Sequence, residues 1–131
     1  MTKKTQTRPS AVQERSCGSV RIFWLDCDLV INRIVEKIPL LDSDPDAREL
    51  WLFGSLADKR AVPGSDCDLL LLLMQSDLRF VDRIMKYLEI FDDIGIGVDI
   101  FPYTPDELDS PIAMQALKSG KLLWKKSSFH P

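Results

Sequence analysis

Residues 50–73 constrain the fold more than any other part of the chain. They read LWLFGSLADKRAVPGSDCDLLLLL, an apolar run that stops at a Gly-Ser step, a polar loop, and five consecutive leucines. Leucines at this density, bounded by turn residues, predict a strand buried on both faces. Asp66 and Asp68 stand at the start of that strand, and side chains alternate along a strand, so both carboxylates point to the same side. Because adjacent carboxylates repel, this pair needs a cation, a proton or open solvent.

Length and composition narrow the class of protein. A chain of 131 residues predicts one domain with a single core. A net charge of −3 gives no support for nucleic-acid binding. The three cysteines have no metal-ligand spacing and are typical of reduced thiols. With no signal peptide and no apolar run of bilayer length, the sequence predicts a soluble cytoplasmic protein that does not enter a membrane.

The order of apolar and turn residues predicts alternating helices and strands, which is typical of a small α/β (α+β) domain. Residues 1–18 are predicted to be a disordered tail, residues 19–126 the folded domain, and residues 127–131 a frayed end. A helix over 21–38 is expected to stop at Pro39. The predicted strands are 49–53, 69–74, 98–101 and 122–124.

Two further helices are predicted in the second half. The first is capped by Ser76 or Asp77, and its apolar face is formed by Leu78, Val81, Ile84, Met85, Leu88 and Phe91. The second begins at Pro105 after Thr104 and ends at Gly120. Pro111 is expected either to break this helix or to restart it towards Leu117. A short helix starting at Ser55 is also expected in the loop between the first two strands of the sheet.

A third acid stands in an apolar strand. Asp99 lies in the middle of Gly-Val-Asp-Ile-Phe, and if its strand neighbours the leucine strand, three carboxylates converge. Oxygen ligands of this kind suit Mg²⁺, which holds few carboxylates and bridges to phosphate oxygens. Taken without Asp99, the pair Asp66 and Asp68 fits an acid pair at a sheet edge equally well.

The Gly54–Ser55 step favours the metal-binding interpretation. A glycine after a buried strand lets the backbone approach a ligand closely, and a following helix N-terminus presents N–H groups to an anion. Ser55 adds a hydroxyl group. Such a step alone is usually just a turn, but a phosphate-binding turn close to metal-binding carboxylates describes a nucleoside triphosphate–Mg²⁺ site.

These residues together resemble a known signature. Gly54-Ser55, followed after a loop by Asp66-Cys67-Asp68-Leu69 and later by Asp99, is similar to the signature of the nucleotidyltransferase superfamily that includes DNA polymerase beta. The short chain, with Gly-Lys-Leu-Leu-Trp at 120–124, resembles the minimal nucleotidyltransferases (MNT) of that superfamily. The resemblance covers about residues 25–125.

The resemblance implies a fold, an activity and site residues. The fold is a mixed sheet of three to four strands flanked by helices. The activity is Mg²⁺-dependent transfer of a nucleoside monophosphate, AMP from ATP, to a hydroxyl group. The implied catalytic and metal-binding residues are Asp66, Asp68 and Asp99, and the implied nucleotide-binding residues are Gly54, Ser55 and Ser65.

The resemblance also implies a partner and leaves alternatives open. MNT proteins commonly act as antitoxins that add AMP to an HEPN-type toxin, so an HEPN partner and a homo- or hetero-oligomer are expected. The family often has Arg-Ala-Arg-Gly after Gly-Ser, whereas this chain has Leu-Ala-Asp-Lys at 56–59. One alternative is therefore an inactive module that neutralises its partner by binding alone. A weaker one is transfer to a small molecule of the aminoglycoside type.

Overall fold

The computed structural model describes residues 10–127. Within that range the chain forms six strands, four helices and two short 3₁₀ turns. The strands are β1 Val12–Cys17, β2 Val20–Leu25, β3 Ala47–Phe53, β4 Cys67–Leu73, β5 Val98–Tyr103 and β6 Lys121–Lys125. The helices are α1 Cys27–Val35, α2 Ile38–Asp42, α3 Phe80–Leu88 and α4 Pro111–Ser119, and the 3₁₀ turns are Glu89–Phe91 and Pro105–Glu107.

A four-stranded mixed sheet organises the domain. Its strand order is β5-β4-β3-β6, with β4 and β5 parallel and the other neighbours antiparallel. The leucine run forms the central strand β4, and the side chains of its residues alternate between two apolar clusters. Cys67, Leu69 and Leu71 enter the larger cluster, and Leu70 enters the smaller one beneath α4. The predicted fold class, a mixed sheet of four strands with flanking helices, is confirmed.

The N-terminal predictions are wrong for the residues that the structure describes. Residues 12–17 form a strand rather than a disordered tail, and residues 21–25 form its antiparallel partner rather than the first turns of a helix. The connection is a two-residue turn in which Gly18 has φ +62°, the left-handed conformation that tight hairpins require. Residues 1–9 and 128–131 lie outside the described residues, so the predictions for them stay predictions.

Helix boundaries also differ from the sequence-based expectation. The first helix begins only at Cys27, because Asp26 caps it by accepting a hydrogen bond from the Leu29 N–H at 3.0 Å. Pro39 does not stop a helix but lies in the first turn of α2, where its missing N–H costs nothing. Pro105 opens a 3₁₀ turn, and α4 starts separately at Pro111 and ends, as predicted, at Gly120.

The predicted apolar face of α3 is buried only in part: Ile84 and Leu88 pack against the larger cluster, and Phe91, just beyond the helix, is fully buried. The helix begins at Phe80, without a side-chain cap at Ser76 or Asp77, and it buries Arg83 and Tyr87. The Arg83 guanidinium donates to the carbonyls of Leu78 at 3.1 Å and Pro102 at 3.2 Å. The other three members of the predicted apolar face are exposed, namely Leu78, which precedes the helix, Val81 and Met85. None of the helices among the described residues is long and apolar enough to cross a membrane.

Glu107, the last residue of the second 3₁₀ turn, predicts a defined response to acid. Burial raises the pKa of Glu107, but hydrogen bonds from Arg83 at 2.7 Å and the Thr104 N–H at 2.8 Å outweigh it and hold that pKa below 4.5. A carboxyl whose pKa is lowered on folding stabilises the protein above its unfolded pKa, and the contribution disappears as pH falls through the folded pKa. We expect Glu107→Gln to lower Tm by about 5 °C at pH 7 and by less at about pH 3. Thermal unfolding followed by circular dichroism across this range tests the prediction, and an equal loss at both pH values would contradict it.

The root of the N-terminal hairpin is fixed by a close approach at Gly95. The Ala11 N–H donates to the Gly95 carbonyl at 3.2 Å, and Gly95 has φ +97°. A Cβ there would lie 2.5 Å from Arg33 Nη1 and 2.8 Å from the Ala11 backbone nitrogen. Gly95 is therefore required both for its backbone conformation and for space.

We expect Gly95→Ala to lower the free energy of unfolding by about 2–3 kcal/mol, because strain adds to a backbone collision. The matched control is Gly18→Ala, which has a positive φ but open space around the new methyl group. Chemical denaturation measures both variants. Equal losses would show that the contact with Ala11 contributes nothing.

Candidate active site

The site is built where β3 ends and β4 begins. Phe53, the last residue of β3, pairs with Asp68 on β4. The next residue, Gly54, has φ +80°, and a Cβ at that position would collide with Asp68 Oδ2. Gly54 thus lets the chain turn sharply while the Asp68 carboxylate lies directly against its backbone.

The three predicted acids lie at the same edge of the sheet. Asp68 and Asp99 are paired residues on adjacent parallel strands, which run about 4.8 Å apart and direct registered side chains to the same face. Asp66 lies two residues before Asp68, and a Cβ on Gly97 would come within 2.6 Å of Asp66 Oδ1. Gly97 also accepts a hydrogen bond from the Cys67 N–H at 2.8 Å. The structure thus positions β5 so that Asp99 stands beside the Asp66–Asp68 pair.

The closeness of the three acids affects the pKa values of Asp68 and Cys67. Burial raises the pKa of Asp68, and the negative charges of Asp99 and Asp66 raise it further. The pKa of the Cys67 thiol is also raised, first by burial and then by Asp68, Asp99 and Asp66. Cys67 is fully buried in the larger cluster, so it is a protonated core residue, as the alternation of the strand predicts.

The acids fit a magnesium ion that is shared with substrate. Within residues 10–127, no three His, Cys, Asp or Glu side chains are already gathered as a metal-ligand group. Mg²⁺ does not need such a cage, because it usually keeps several waters and binds one or two carboxylates together with substrate phosphates. The pKa of Asp68 is raised first by burial and then by the negative charges of Asp99 and Asp66, and a cation would relieve that repulsion.

The loop from Gly54 to Ser65 differs from the sequence-based expectation. Instead of a short helix at Ser55 it forms consecutive turns, in which the Asp58 N–H donates to the Gly54 carbonyl at 3.2 Å and the Arg60 N–H to the Ser55 carbonyl at 2.8 Å. Ser65 Oγ accepts from the Val62 N–H at 3.0 Å and so fixes the end of the loop. The loop therefore offers turn N–H groups and hydroxyls rather than a helix N-terminus.

The residues of this loop that depart from the family pattern have separate structural roles. Leu56 is fully buried in the larger cluster, so its side chain stabilises the core. Asp58 pairs with Arg60 at 2.8 Å on the surface. Lys59 has φ +59° and is the only non-glycine residue with a positive φ among the described residues. The family pattern has glycine at this position, so the backbone of the loop keeps a conformation that suits glycine.

A groove runs from Asp99 along the open edge of β5. It has a volume of about 190 Å³, smaller than the roughly 300–1,000 Å³ of common small-molecule pockets. Sequence reasoning missed this groove because its two sides come from α3 and β5, which are separate elements of the chain. The groove is lined by Ile84, Leu88, Val98, Asp99, Ile100 and Phe101.

Comparisons with known proteins agree with this architecture. A model of the polymerase beta nucleotidyltransferase family matches residues 36–129. A candidate nucleotidyltransferase from Sulfolobus solfataricus has a similar structure, with a TM-score of 0.60, 21% identity, and coverage of 78% of this chain and 86% of that one. A toxin-antitoxin structure with AMP-PNP has a TM-score of 0.50, 21% identity and 74% coverage of both chains.

The structural similarities and the family match support different conclusions. At 21% identity, the likeness to the two structures concerns the fold alone. No curated protein matches the chain by sequence. The family match covers the sheet, α3, α4 and all three acids, whereas the hairpin of β1 and β2 lies outside it.

Proposed function

Because the chain belongs to the polymerase beta nucleotidyltransferase family, we propose that it transfers AMP from ATP to a hydroxyl group of a partner protein in the cytoplasm. The observation that carries the proposal is the register of β4 and β5, which pairs Asp68 with Asp99 beside Gly54. Three acids facing a glycine turn suit a nucleoside triphosphate with Mg²⁺ better than they suit a purely structural group of acids at a sheet edge.

Each site residue has a proposed task. Asp66 and Asp68 would hold Mg²⁺ against the phosphates, and Asp99 would complete a second metal position. Gly54 and Ser55 bind the β- and γ-phosphates, and Ser65 binds the nucleotide from the end of the loop. When bound, Mg²⁺ would neutralise phosphate charge and orient the leaving group.

The reaction is an in-line displacement. The oxygen of the acceptor hydroxyl attacks the α-phosphorus, and the bond between that phosphorus and the bridging oxygen to the β-phosphate breaks. Pyrophosphate leaves with the electron pair of that bond, and Asp99 accepts the hydroxyl proton. The groove at the edge of β5 supports this role, because Asp99 is one of the residues that line it.

We propose that the acceptor belongs to an HEPN-type toxin and that this chain is its antitoxin. The groove beside Asp99 is small and open, which favours a side chain of a second protein over an enclosed small molecule such as an aminoglycoside. The structure with AMP-PNP that shares this fold is a toxin-antitoxin pair. A toxin encoded by the neighbouring reading frame is the expected partner.

The second candidate is neutralisation by binding alone. It is favoured by Leu56 and Asp58, which replace two arginines of the family pattern and remove positive charge near the phosphates. Co-expression of the partner with a double variant, Asp66→Asn with Asp68→Asn, separates the candidates. If transfer is required, the variant still binds the partner but no longer restores growth; rescue of growth by the variant would favour the binding module.

The altered loop predicts a graded effect on nucleotide affinity. Asp58 is exposed and pairs with Arg60, so replacing it both removes a negative charge and releases a positive one. We expect Asp58→Arg to tighten ATP binding roughly 3- to 10-fold, with Asp58→Asn in between as the control. Isothermal titration with ATP and Mg²⁺ measures this order, and unchanged affinity in both variants would mean that the loop does not approach the triphosphate.

A further inference from the structure

Gly97 leaves a space that a single side chain uses. It is the residue before β5, and a Cβ at this position would lie 2.6 Å from Asp66 Oδ1 and 3.5 Å from Asp66 Cγ. Apart from the chain neighbours of Gly97, no other atom of the described residues lies within 4 Å of that point. The missing side chain therefore makes room for the Asp66 carboxylate and for no other group in that range.

The register of β4 and β5 explains why these two residues meet. Asp68 pairs with Asp99 in the parallel ladder. Two residues before each of them, Asp66 and Gly97 stand opposite each other, and the Cys67 N–H donates to the Gly97 carbonyl at 2.8 Å. Because residues i and i+2 of a strand share a face, the space at Gly97 opens on the face of the sheet that carries Asp99.

Gly97 is not required for its backbone conformation. Its φ lies outside the left-handed region, unlike the φ angles of Gly54 and Gly95, so a larger residue can adopt the same backbone. A Cβ at Gly95 would meet the backbone of Ala11, whereas at Gly97 it meets only the end of an exposed side chain. Such a side chain can rotate away at little cost. Gly97 therefore decides where one carboxylate lies rather than how stable the fold is.

We propose that Gly97 is a positioning residue of the metal site, because it lets the Asp66 carboxylate lie over the start of β5 on the face that carries Asp99. The inference rests on the proposed function, in which Asp66 and Asp99 would be metal ligands. Mg²⁺ demands near-ideal octahedral geometry, with ligand oxygens at about 2.0–2.1 Å, so it tolerates a displaced carboxylate poorly. Any side chain at position 97 would displace Asp66 from its place.

Binding of AMP-PNP with and without metal tests the proposal. We expect Gly97→Ala to weaken binding of the Mg²⁺ complex of AMP-PNP about 10-fold, which is typical of residues that orient metal ligands. Binding of AMP-PNP in EDTA is expected to change by less than about 2-fold, because a displaced carboxylate matters only where a cation is held. Isothermal titration measures both affinities. A merely structural defect would weaken both, and Tm is expected to stay within about 3 °C of the wild type.

Two controls isolate the effect of the Asp66 carboxylate. Gly18→Ala adds the same methyl group in open space and is expected to change neither affinity. Asp66→Asn removes the charge that Gly97 positions. In that background we expect Gly97→Ala to weaken binding of the Mg²⁺ complex by less than about 2-fold, because two substitutions that act through one side chain do not add.

The outcomes separate this inference from the proposed function. Equal affinities of the wild type and Gly97→Ala for the Mg²⁺ complex would overturn the inference alone, and so would an undiminished loss in the Asp66→Asn background. A wild-type protein that binds AMP-PNP no more tightly with Mg²⁺ than in EDTA would contradict the proposed function, and the inference with it.

Discussion

Asp68→Asn is expected to reduce nucleotidyl transfer at least about 1,000-fold, because an amide cannot supply the charge that holds a cation against the phosphates. Asp68 lies against Gly54 and pairs with Asp99, so the substitution acts at the centre of the site. Asparagine has nearly the same shape, and the fold is expected to survive. Transfer and ATP binding are measured on the same preparation.

The same variant is expected to be slightly more stable than the wild type. Burial and the charges of Asp99 and Asp66 raise the pKa of Asp68, so its ionised form opposes folding. Much of the side chain is in contact with solvent, which screens the repulsion, and the expected gain in Tm at pH 7 is only about 2 °C. The control is Asp109→Asn, at an exposed acid remote from β4 and β5, with neither effect expected. Full transfer by Asp68→Asn would remove this residue from the metal site.

Gly54→Ala is expected to lower transfer about 100-fold with a smaller loss of stability. The new methyl group would occupy the space of Asp68 Oδ2, so the carboxylate must rotate away, and a displacement of about 1 Å can cost this much in rate. The backbone at φ +80° adds about 1 kcal/mol of strain. Steady-state transfer and chemical denaturation separate the two effects.

Gly64→Ala is the matched control for Gly54→Ala. Gly64 lies in the same loop with φ +99°, and a methyl group there meets nothing within 4 Å. It therefore introduces comparable backbone strain without displacing Asp68. Equal losses of transfer in the two variants would mean that strain in the loop, rather than the position of the carboxylate, limits activity.

The sheet and the acids could be predicted from the sequence because their signals are local. The leucine run defines β4, the Gly-Ser step marks the end of β3, and an acid within an apolar strand marks Asp99. Which strands are neighbours is not local, because it depends on packing over the whole domain. The pairing of β5 with β4, which brings Asp99 beside Asp68, was therefore only a condition of the prediction, and its parallel direction was not predicted.

The features that sequence reasoning missed depend on long-range contacts. On α3 an apolar count finds the core-packed Ile84 and Leu88 but misses Arg83. Arg83 is buried because its guanidinium donates to the carbonyls of Leu78 and Pro102, and the second of these lies on another element. The hairpin was mistaken for a tail and a helix because β2 has apolar residues on both faces and buries little of them within the chain. Its turn at Gly18-Ser19 was the available signal.

The most direct test of the proposed activity follows the α-phosphate and the γ-phosphate of ATP separately. The chain is incubated with Mg²⁺, the protein encoded by the neighbouring reading frame, and ATP labelled on either the α- or the γ-phosphate. Nucleotidyl transfer predicts that the α-label moves to the partner while the γ-label is released in pyrophosphate, and that the variant with Asp66→Asn and Asp68→Asn does neither. A partner labelled from the γ-phosphate, or one neutralised with no label at all, would contradict the proposal.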